Sequence, residues 1–230
     1  MYIVYIASMC GRYALHSRPD VIALAFGLSE IPASIVPRFN IAPTTAVLVV
    51  RADAHGNREP ALVRWGLVPH WAKDPKRATR LNNARGETVA QKPSFRNAYR
   101  RRRCLVPANG FYEWQRIEAR KQPYYISPAH GALFAFAGLW ECWEGPGGPL
   151  ETCTIVTTGA NTLMQPIHDR MPVIVPPPNH ARWLECAPGR DVADLLVACA
   201  PESIQVHAVS TAVNRASSES PELIAPLVNA

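Results

Sequence analysis

The sequence predicts a strand-dominated α+β fold, one domain with a few peripheral helices, and three observations carry that expectation. Apolar runs of strand length recur between turn-forming residues, whereas runs long enough for a helix are few and lie near the margins. The 22 prolines among 230 residues are scattered, so they punctuate the chain with turns and leave little room for long helices. The sequence has no internal repeat and no linker, and its length is large for one domain but short for two. A chain of this size with 48% apolar residues can bury a core without help from disulfides or metals.

The elements follow in order. Ser17-Arg18-Pro19-Asp20 supplies a cap and an early proline, residues 21–26 are mostly apolar, and Gly27 terminates, which reads as a short helix. Strands are expected at 46–51 and 61–65, joined by a turn at 53–57, and then at 104–106, 111–115, 124–127, 133–139 and 152–157. Residues 144–149 are rich in glycine and proline and read as a loop. Asn179 and Asp191 are expected to cap helices over 180–186 and 192–198. A last strand is expected near 206–210.

The formal net charge of +6 makes a polyanionic partner worth testing. Six cysteines, at 10, 104, 142, 153, 186 and 199, include no C-x-x-C pair, which argues against a zinc ribbon or a thioredoxin-like site. Most sit beside apolar residues, as buried, reduced thiols do. No stretch approaches the roughly 20 apolar residues of a membrane span, and residues 1–8 lack the basic start of a signal peptide. The expectation is a cytoplasmic protein that does not engage membranes.

Four segments hold residues suited to chemistry, none specific alone. In Met9-Cys10-Gly11-Arg12-Tyr13, a chain begun at Met9 would lose that methionine and expose Cys10 as a 1,2-aminothiol. An α-amine has a reference pKa of roughly 7.7–8.0, so about a tenth is free base at neutral pH, against well under a thousandth for lysine. Such an amine forms a Schiff base with an aldehyde, and the neighbouring thiol traps it as a thiazolidine. In Leu81-Asn82-Asn83-Ala84-Arg85, the amide of Asn83 can orient a hydroxyl or carbonyl and the guanidinium of Arg85 can hold a phosphate. Glu113 lies among the aromatics of Gly110-Phe111-Tyr112-Glu113-Trp114, where desolvation would raise its pKa and suit proton transfer. His168, in Pro166-Ile167-His168-Asp169-Arg170-Met171-Pro172, is a candidate general acid or base. Each also has a purely structural reading: a small residue near the start, a solvated turn, an outward glutamate, a satisfied histidine.

Taken together and in order, the segments resemble the SRAP family, the SOS-response-associated peptidases. The resemblance is carried by six blocks: MCGRY, RFNIAPTT, WGLVPHW, NARGET, CLVPANGFYEW and IHDRMPVI, from Met9 to roughly Val213. It implies a sensor of abasic sites in single-stranded DNA that forms a DNA–protein crosslink through Cys10. Asn83 would then hold the ring-opened sugar, and Glu113 and His168 would move protons. Arg12 and Arg85 would contact phosphates, while Asn40, Pro43 and Trp71 would line the groove beside the lesion. No metal or organic cofactor is implied, and a monomer is expected.

The family pattern begins Met-Cys, whereas eight residues precede Met9 here. With Met1 retained, the nitrogen of Cys10 is a peptide nitrogen and no thiazolidine can form. The expectation is that residues 1–9 are absent from the mature protein, through a start at Met9 or through cleavage before Cys10, and that 10–230 form the domain. Gly86 and Asn109 stand where the family often has alanine and aspartate, and both changes look peripheral. Two other readings stay open: an N-terminal-nucleophile peptidase or amidohydrolase using the same residues, and a single-strand binding module without chemistry.

Overall fold

The computed structural model describes residues 11–75, 81–130, 133–187, 189 and 191–227. Within these residues twelve strands form two sheets: β1 (Tyr13–Leu15), β2 (Arg38–Ile41), β3 (Ala46–Ala52), β4 (Arg58–Trp65), β5 (Asn83–Arg85), β6 (Arg103–Ala108), β7 (Gly110–Ile117), β8 (Arg120–Pro128), β9 (Phe134–Gly145), β10 (Gly148–Gly159), β11 (Arg170–Pro172) and β12 (Ile204–Ala208). The smaller sheet runs β12-β8-β7-β1-β2. The larger runs β11-β10-β4-β3-β6-β9, and because β9 also pairs with β10 its hydrogen-bonded order closes on itself. Among the described residues four short α-helices, α1 (Pro19–Phe26), α2 (Gly86–Val89), α3 (Arg96–Arg101) and α4 (His180–Leu184), lie between the strands. The α+β, strand-dominated class read from the sequence is the class observed.

Period-2 alternation explains how the sheets pack. Tyr13 and Phe111 are register partners on β1 and β7, and both turn toward the larger sheet. The Tyr13 ring lies edge-on to Trp65 at 5.4 Å, and Phe111 meets Phe136 at 5.9 Å. Their neighbours Ala14 and Tyr112 face the other way and join Tyr125, Val209, Val213 and Leu223 in a second apolar cluster. The smaller sheet is thus buried on both faces, with the chain beyond residue 208 as its outer cover.

Several expected boundaries shift. The loop expected at 144–149 is a two-residue turn at Pro146-Gly147, because β9 and β10 keep pairing out to Gly145 and Gly148. The helix expected over 180–186 stops at Leu184, and Asn179 accepts no capping bond there. The helix expected over 192–198 is only a 3-10 turn at Ala193–Leu195, although the Asp191 carboxylate does accept the Ala193 N–H at 2.9 Å. The last strand ends at Ala208 instead of 210.

The His180 ring stacks on Phe26 at 5.5 Å and hydrogen-bonds the Val175 carbonyl through Nε2 at 3.1 Å. Burial holds this imidazole below the usual histidine range; the Arg58 charge acts the same way and the Val175 bond opposes it. Below about pH 6.5 the unfolded chain therefore binds more protons than the folded one, and stability falls as pH falls. The melting temperature should drop between about pH 7 and about pH 5, and His180→Gln should flatten that drop. An identical pH dependence in the variant would assign the effect elsewhere.

Candidate functional site

The last third of β10 is the spine of the site. Its first part pairs in parallel with β4, Cys153 opposite Trp65. The chain then turns away at Gly66, whose φ of 125° suits only glycine, with its N–H on the Cys153 carbonyl at 2.8 Å. β5 takes the vacated edge in parallel, with Asn83 opposite Ile155 and Arg85 opposite Thr157. The Asn82 carbonyl fixes this register by accepting the Ile155 N–H at 3.0 Å and the Trp65 indole N–H at 2.8 Å. On the opposite edge β11 sets Pro172 beside Thr157 and Arg170 beside Gly159. Asn83 and Arg85 therefore flank one edge of β10, and Arg170 the other. The Arg170 guanidinium donates to the Thr157 carbonyl at 2.8 Å and pairs with Glu87, holding the Glu87 carboxyl below the usual range.

His168 closes a turn in which its N–H donates to the Met164 carbonyl at 3.0 Å. Its Nδ1 accepts the backbone N–H of Arg170 at 3.0 Å and also lies 3.0 Å from an Asp169 carboxylate oxygen. Nδ1 cannot accept from Arg170 and donate to Asp169 together. The Asp169 side chain is largely solvated, so the backbone bond decides. A neutral His168 thus carries its proton on Nε2, free to act as a donor away from the backbone.

Glu113 is buried in β7, opposite Tyr124 on β8, and by alternation faces as Phe111 does, toward the larger sheet. Two residues on, Gln115 donates to the Pro166 carbonyl at 2.9 Å and so ties β7 to the turn that carries His168. The elements bearing Asn83, Glu113 and His168 thus meet around the end of β10. Cys10 lies outside the described residues.

Arg12 is half-buried on the outer face of the smaller sheet. Its guanidinium donates to the Asn40 side-chain oxygen at 2.9 Å and to the Val213 carbonyl at 2.9 Å. Burial draws its pKa below the usual arginine value. Asn40, expected to line the groove, is instead wholly buried. Its amide donates to the carbonyls of Arg215 and Ser218, each at 3.0 Å, and at 3.3 Å to that of Val213. Its part is to hold Arg12 and residues 213–218, because no edge of the side chain reaches solvent. Glu219 completes this clamp by accepting the N–H groups of Phe39 and Asn40 and pairing with Arg38 at 2.8 Å. Asn109 is also buried: its side-chain oxygen accepts the N–H groups of His16 at 2.7 Å and Ser17 at 2.9 Å.

Arg85 and Trp71 are exposed, the latter at 56%, and Pro43 is half-buried beside Thr44, whose φ of 74° is unusual for a β-branched residue. The backbone around Trp71 is pinned on both sides. Val68 N–H donates to Thr152 Oγ1 at 2.9 Å, and the Trp143 indole donates to the Ala72 carbonyl at 2.6 Å. His70 Nδ1 lies 3.2 Å from the buried Glu141, which pairs with Arg102 at 2.7 Å. Glu141, Thr152 and Glu219 went unread in the sequence, since their partners are far away along the chain.

All five described cysteines carry free thiols, and burial pushes those of Cys104, Cys142, Cys153 and Cys199 up, away from thiolate reactivity. Among the described residues no His, Cys, Asp and Glu side chains cluster as a metal site, and no described helix is long and apolar enough to cross a membrane. A cavity of about 610 Å³ lined by Phe26, Ile174 and His180 includes none of the candidate catalytic or DNA-contacting residues.

The family model described as SOS response associated peptidase (SRAP) matches residues 9–216. The chain is 43% identical over 224 residues to the abasic site processing protein YoqW of Bacillus subtilis, covering 94% of this chain and 99% of that one. It is 34% identical to the abasic site processing protein HMCES of Xenopus tropicalis, covering 96% of this chain and 79% of that one. A crystal structure of a Bacteroides thetaiotaomicron protein superposes with a TM-score of 0.87 at 24% identity, covering 95% of this chain and all of that one, and so shares the fold. A Bordetella bronchiseptica protein gives a TM-score of 0.77 at 28% identity, covering 87% of this chain and all of that one. With a family match over residues 9–216 and a relative 43% identical across nearly its whole length, the chain belongs to the SRAP family.

Proposed function

We propose that this protein senses abasic sites in single-stranded DNA and traps them as a covalent thiazolidine through Cys10, shielding the lesion. The observation that carries this reading is the meeting of β5, β7 and the His168 turn at the end of β10, in a chain whose relatives are named abasic site processing proteins. The active form begins at Cys10, since only a free α-amine can react. That amine adds to the sugar aldehyde and loses one water to give a Schiff base. The thiol then adds across the C=N bond, its proton passing to nitrogen as the ring closes. Asn83 holds the opened sugar. Glu113 and the Nε2–H of His168 exchange protons with the ring oxygen, the departing water and the nitrogen. Arg12 and Arg85 hold phosphates, and Trp71 offers a face to an unstacked base. The working form is a cytoplasmic monomer associated with the nucleoid through DNA.

The test is intact mass of the protein beginning at Cys10, mixed with a single strand bearing one abasic site. A stable adduct is expected, equal to the sum of the partners less one water. Cys10→Ala should abolish it, and Glu113→Gln should slow its formation by about 10²-fold or more while leaving binding to the strand intact. If no adduct forms but the Cys10 form cleaves amide substrates, the N-terminal-nucleophile hydrolase takes its place. DNA binding that is indifferent to Cys10→Ala, with no adduct, would leave a binding module.

A further inference from the structure

The β7–β8 hairpin outruns the sheet that carries it. β1 accompanies β7 only as far as Tyr112, whose N–H donates to the Arg12 carbonyl at 3.0 Å, and β12 pairs with β8 only over residues 124–128. Residues 114–117 and 120–123 therefore continue as a two-stranded ribbon, with Arg116 opposite Lys121 and Ile117 opposite Arg120. Arg116, Arg120 and Lys121 are exposed, and none joins an ion pair among the described residues. The hairpin holds two acids, Glu113 on the face toward the larger sheet and Glu118 in the turn. Glu118 joins no ion pair among the described residues either.

Register joins this ribbon to Arg12. Cross-strand partners share a face of a sheet, and so do residues two apart on one strand. Arg12 stands opposite Tyr112, so Tyr112, Trp114, Arg116 and Lys121 all belong to the outer face that bears Arg12. Side-chain bonds agree: Asn214 accepts the Arg12 guanidinium on its carbonyl at 3.4 Å and the Trp114 indole N–H on its side-chain oxygen at 2.7 Å. The half-buried Trp114 thus lies between Arg12 and the Arg116–Lys121 pair, in a row of roughly 14 Å at about 3.4 Å per residue. Arg120, opposite Ile117, belongs to the other face.

Folding alone does not call for the pair. Like charges directly opposite one another destabilise a sheet. Charge on an open edge does discourage strand-to-strand aggregation, but a pair of opposite sign would do so without repulsion. Two opposed cations in line with an aromatic ring and a second guanidinium suit a partner that brings repeated negative charge and flat apolar groups. A single nucleic-acid strand has both.

We propose that Arg116 and Lys121 form a second phosphate-binding point, and that the strand held at Arg12 runs along the outer face of the hairpin, past Trp114, to reach it. The inference rests on the DNA reading above and assigns the path of the strand on one side of the lesion. The test measures equilibrium binding in Cys10→Ala protein, so that covalent trapping does not intervene. Arg116→Gln/Lys121→Gln is compared with Arg120→Glu, which removes the same net charge from the opposite face. Each abasic strand carries about 10 nucleotides on one side of the lesion only, within the span of small single-strand sites, and the two polarities are tested separately. The double variant should bind one polarity about tenfold more weakly, with a log–log salt slope shallower by about 1.4, from roughly 0.7 for each lost phosphate contact. On the other polarity it should match its parent. Arg120→Glu should shift neither by more than about twofold, as a screened charge off the path. Because the opposed cations repel, the double variant should also melt no lower than its parent. Equal losses on both polarities, no loss on either, an equal loss with Arg120→Glu or a lower melting point would overturn the path. A parent that binds neither strand would defeat the DNA reading along with it. Adduct formation is followed in parallel with Cys10 intact: its absence beside a one-sided binding loss would defeat the crosslinking reading and leave the hairpin path standing.

Discussion

Asn40→Ala is expected to cost about 3 kcal/mol of stability and to weaken DNA binding together. The side chain is wholly buried, accepts from Arg12 and donates to three carbonyls of residues 213–218. Each such bond contributes about 1 kcal/mol net, and leaving buried carbonyls unsatisfied costs more than the bond itself. Arg12 would lose the acceptor that fixes its fork, while residues 213–218 would lose their anchor to β2. Urea denaturation should show the lower midpoint. Hydrogen exchange should show faster opening of residues 209–224, more than of β3 or β6. Asn40→Asp should be worse than Ala, because a carboxylate faces the same carbonyls without donors. A variant with wild-type stability and binding would mean that the clamp is ornamental and that the carbonyls of Val213 and Asn214 suffice to hold Arg12.

Gly110→Ala should be comparably damaging for a steric reason. A Cβ at this position would stand 2.4 Å from Cζ of Tyr125 and 2.5 Å from the carbonyl oxygen of Ile126. The carbonyl belongs to the backbone of β8, whose Ile126 is the register partner of Phe111, so relief requires separating the two strands. Overpacking of this kind costs about 3 kcal/mol, and here the displaced strand also carries Glu113. Both thermal stability and adduct formation should fall. Adding Tyr125→Ala should recover only part of the loss, since the clash with Ile126 remains. Full recovery would show that the ring alone excludes a side chain at 110.

Long apolar strands were legible where their pattern is local: Ala46–Ala52 lies where the sequence predicts strand. Phe134–Gly145 and Gly148–Gly159 are predicted only in part, at 133–139 and 152–157, because the hairpin end at 144–149 carries turn residues and reads as a loop. Tyr13–Leu15, Arg38–Ile41, Asn83–Arg85 and Arg170–Pro172 were not legible, because three or four residues hold no period and become strands only beside a distant partner. The candidate residues were legible through ordered motifs, not through their surroundings. A motif shows that Asn40 matters but not that its side chain faces inward, nor that Glu219 secures the same strand from the far end of the chain. The cap expected from Asn179 failed for a related reason: that residue is itself helical, with φ −99° and ψ 0°, and its side chain accepts no N–H of α4.

The clamp on Arg12 also orders events in time. Two of its acceptors, the carbonyls of Val213 and Asn214, lie 201 and 202 residues downstream. During synthesis the segment bearing Arg12 emerges first, yet Arg12 gains these partners only after nearly the whole polypeptide has left the ribosome. A nascent or prematurely terminated chain therefore lacks the finished clamp on Arg12, and with it the phosphate grip of the proposed function. Under the proposed function, an aminothiol that captures aldehydes would be matched to its target only once translation is complete.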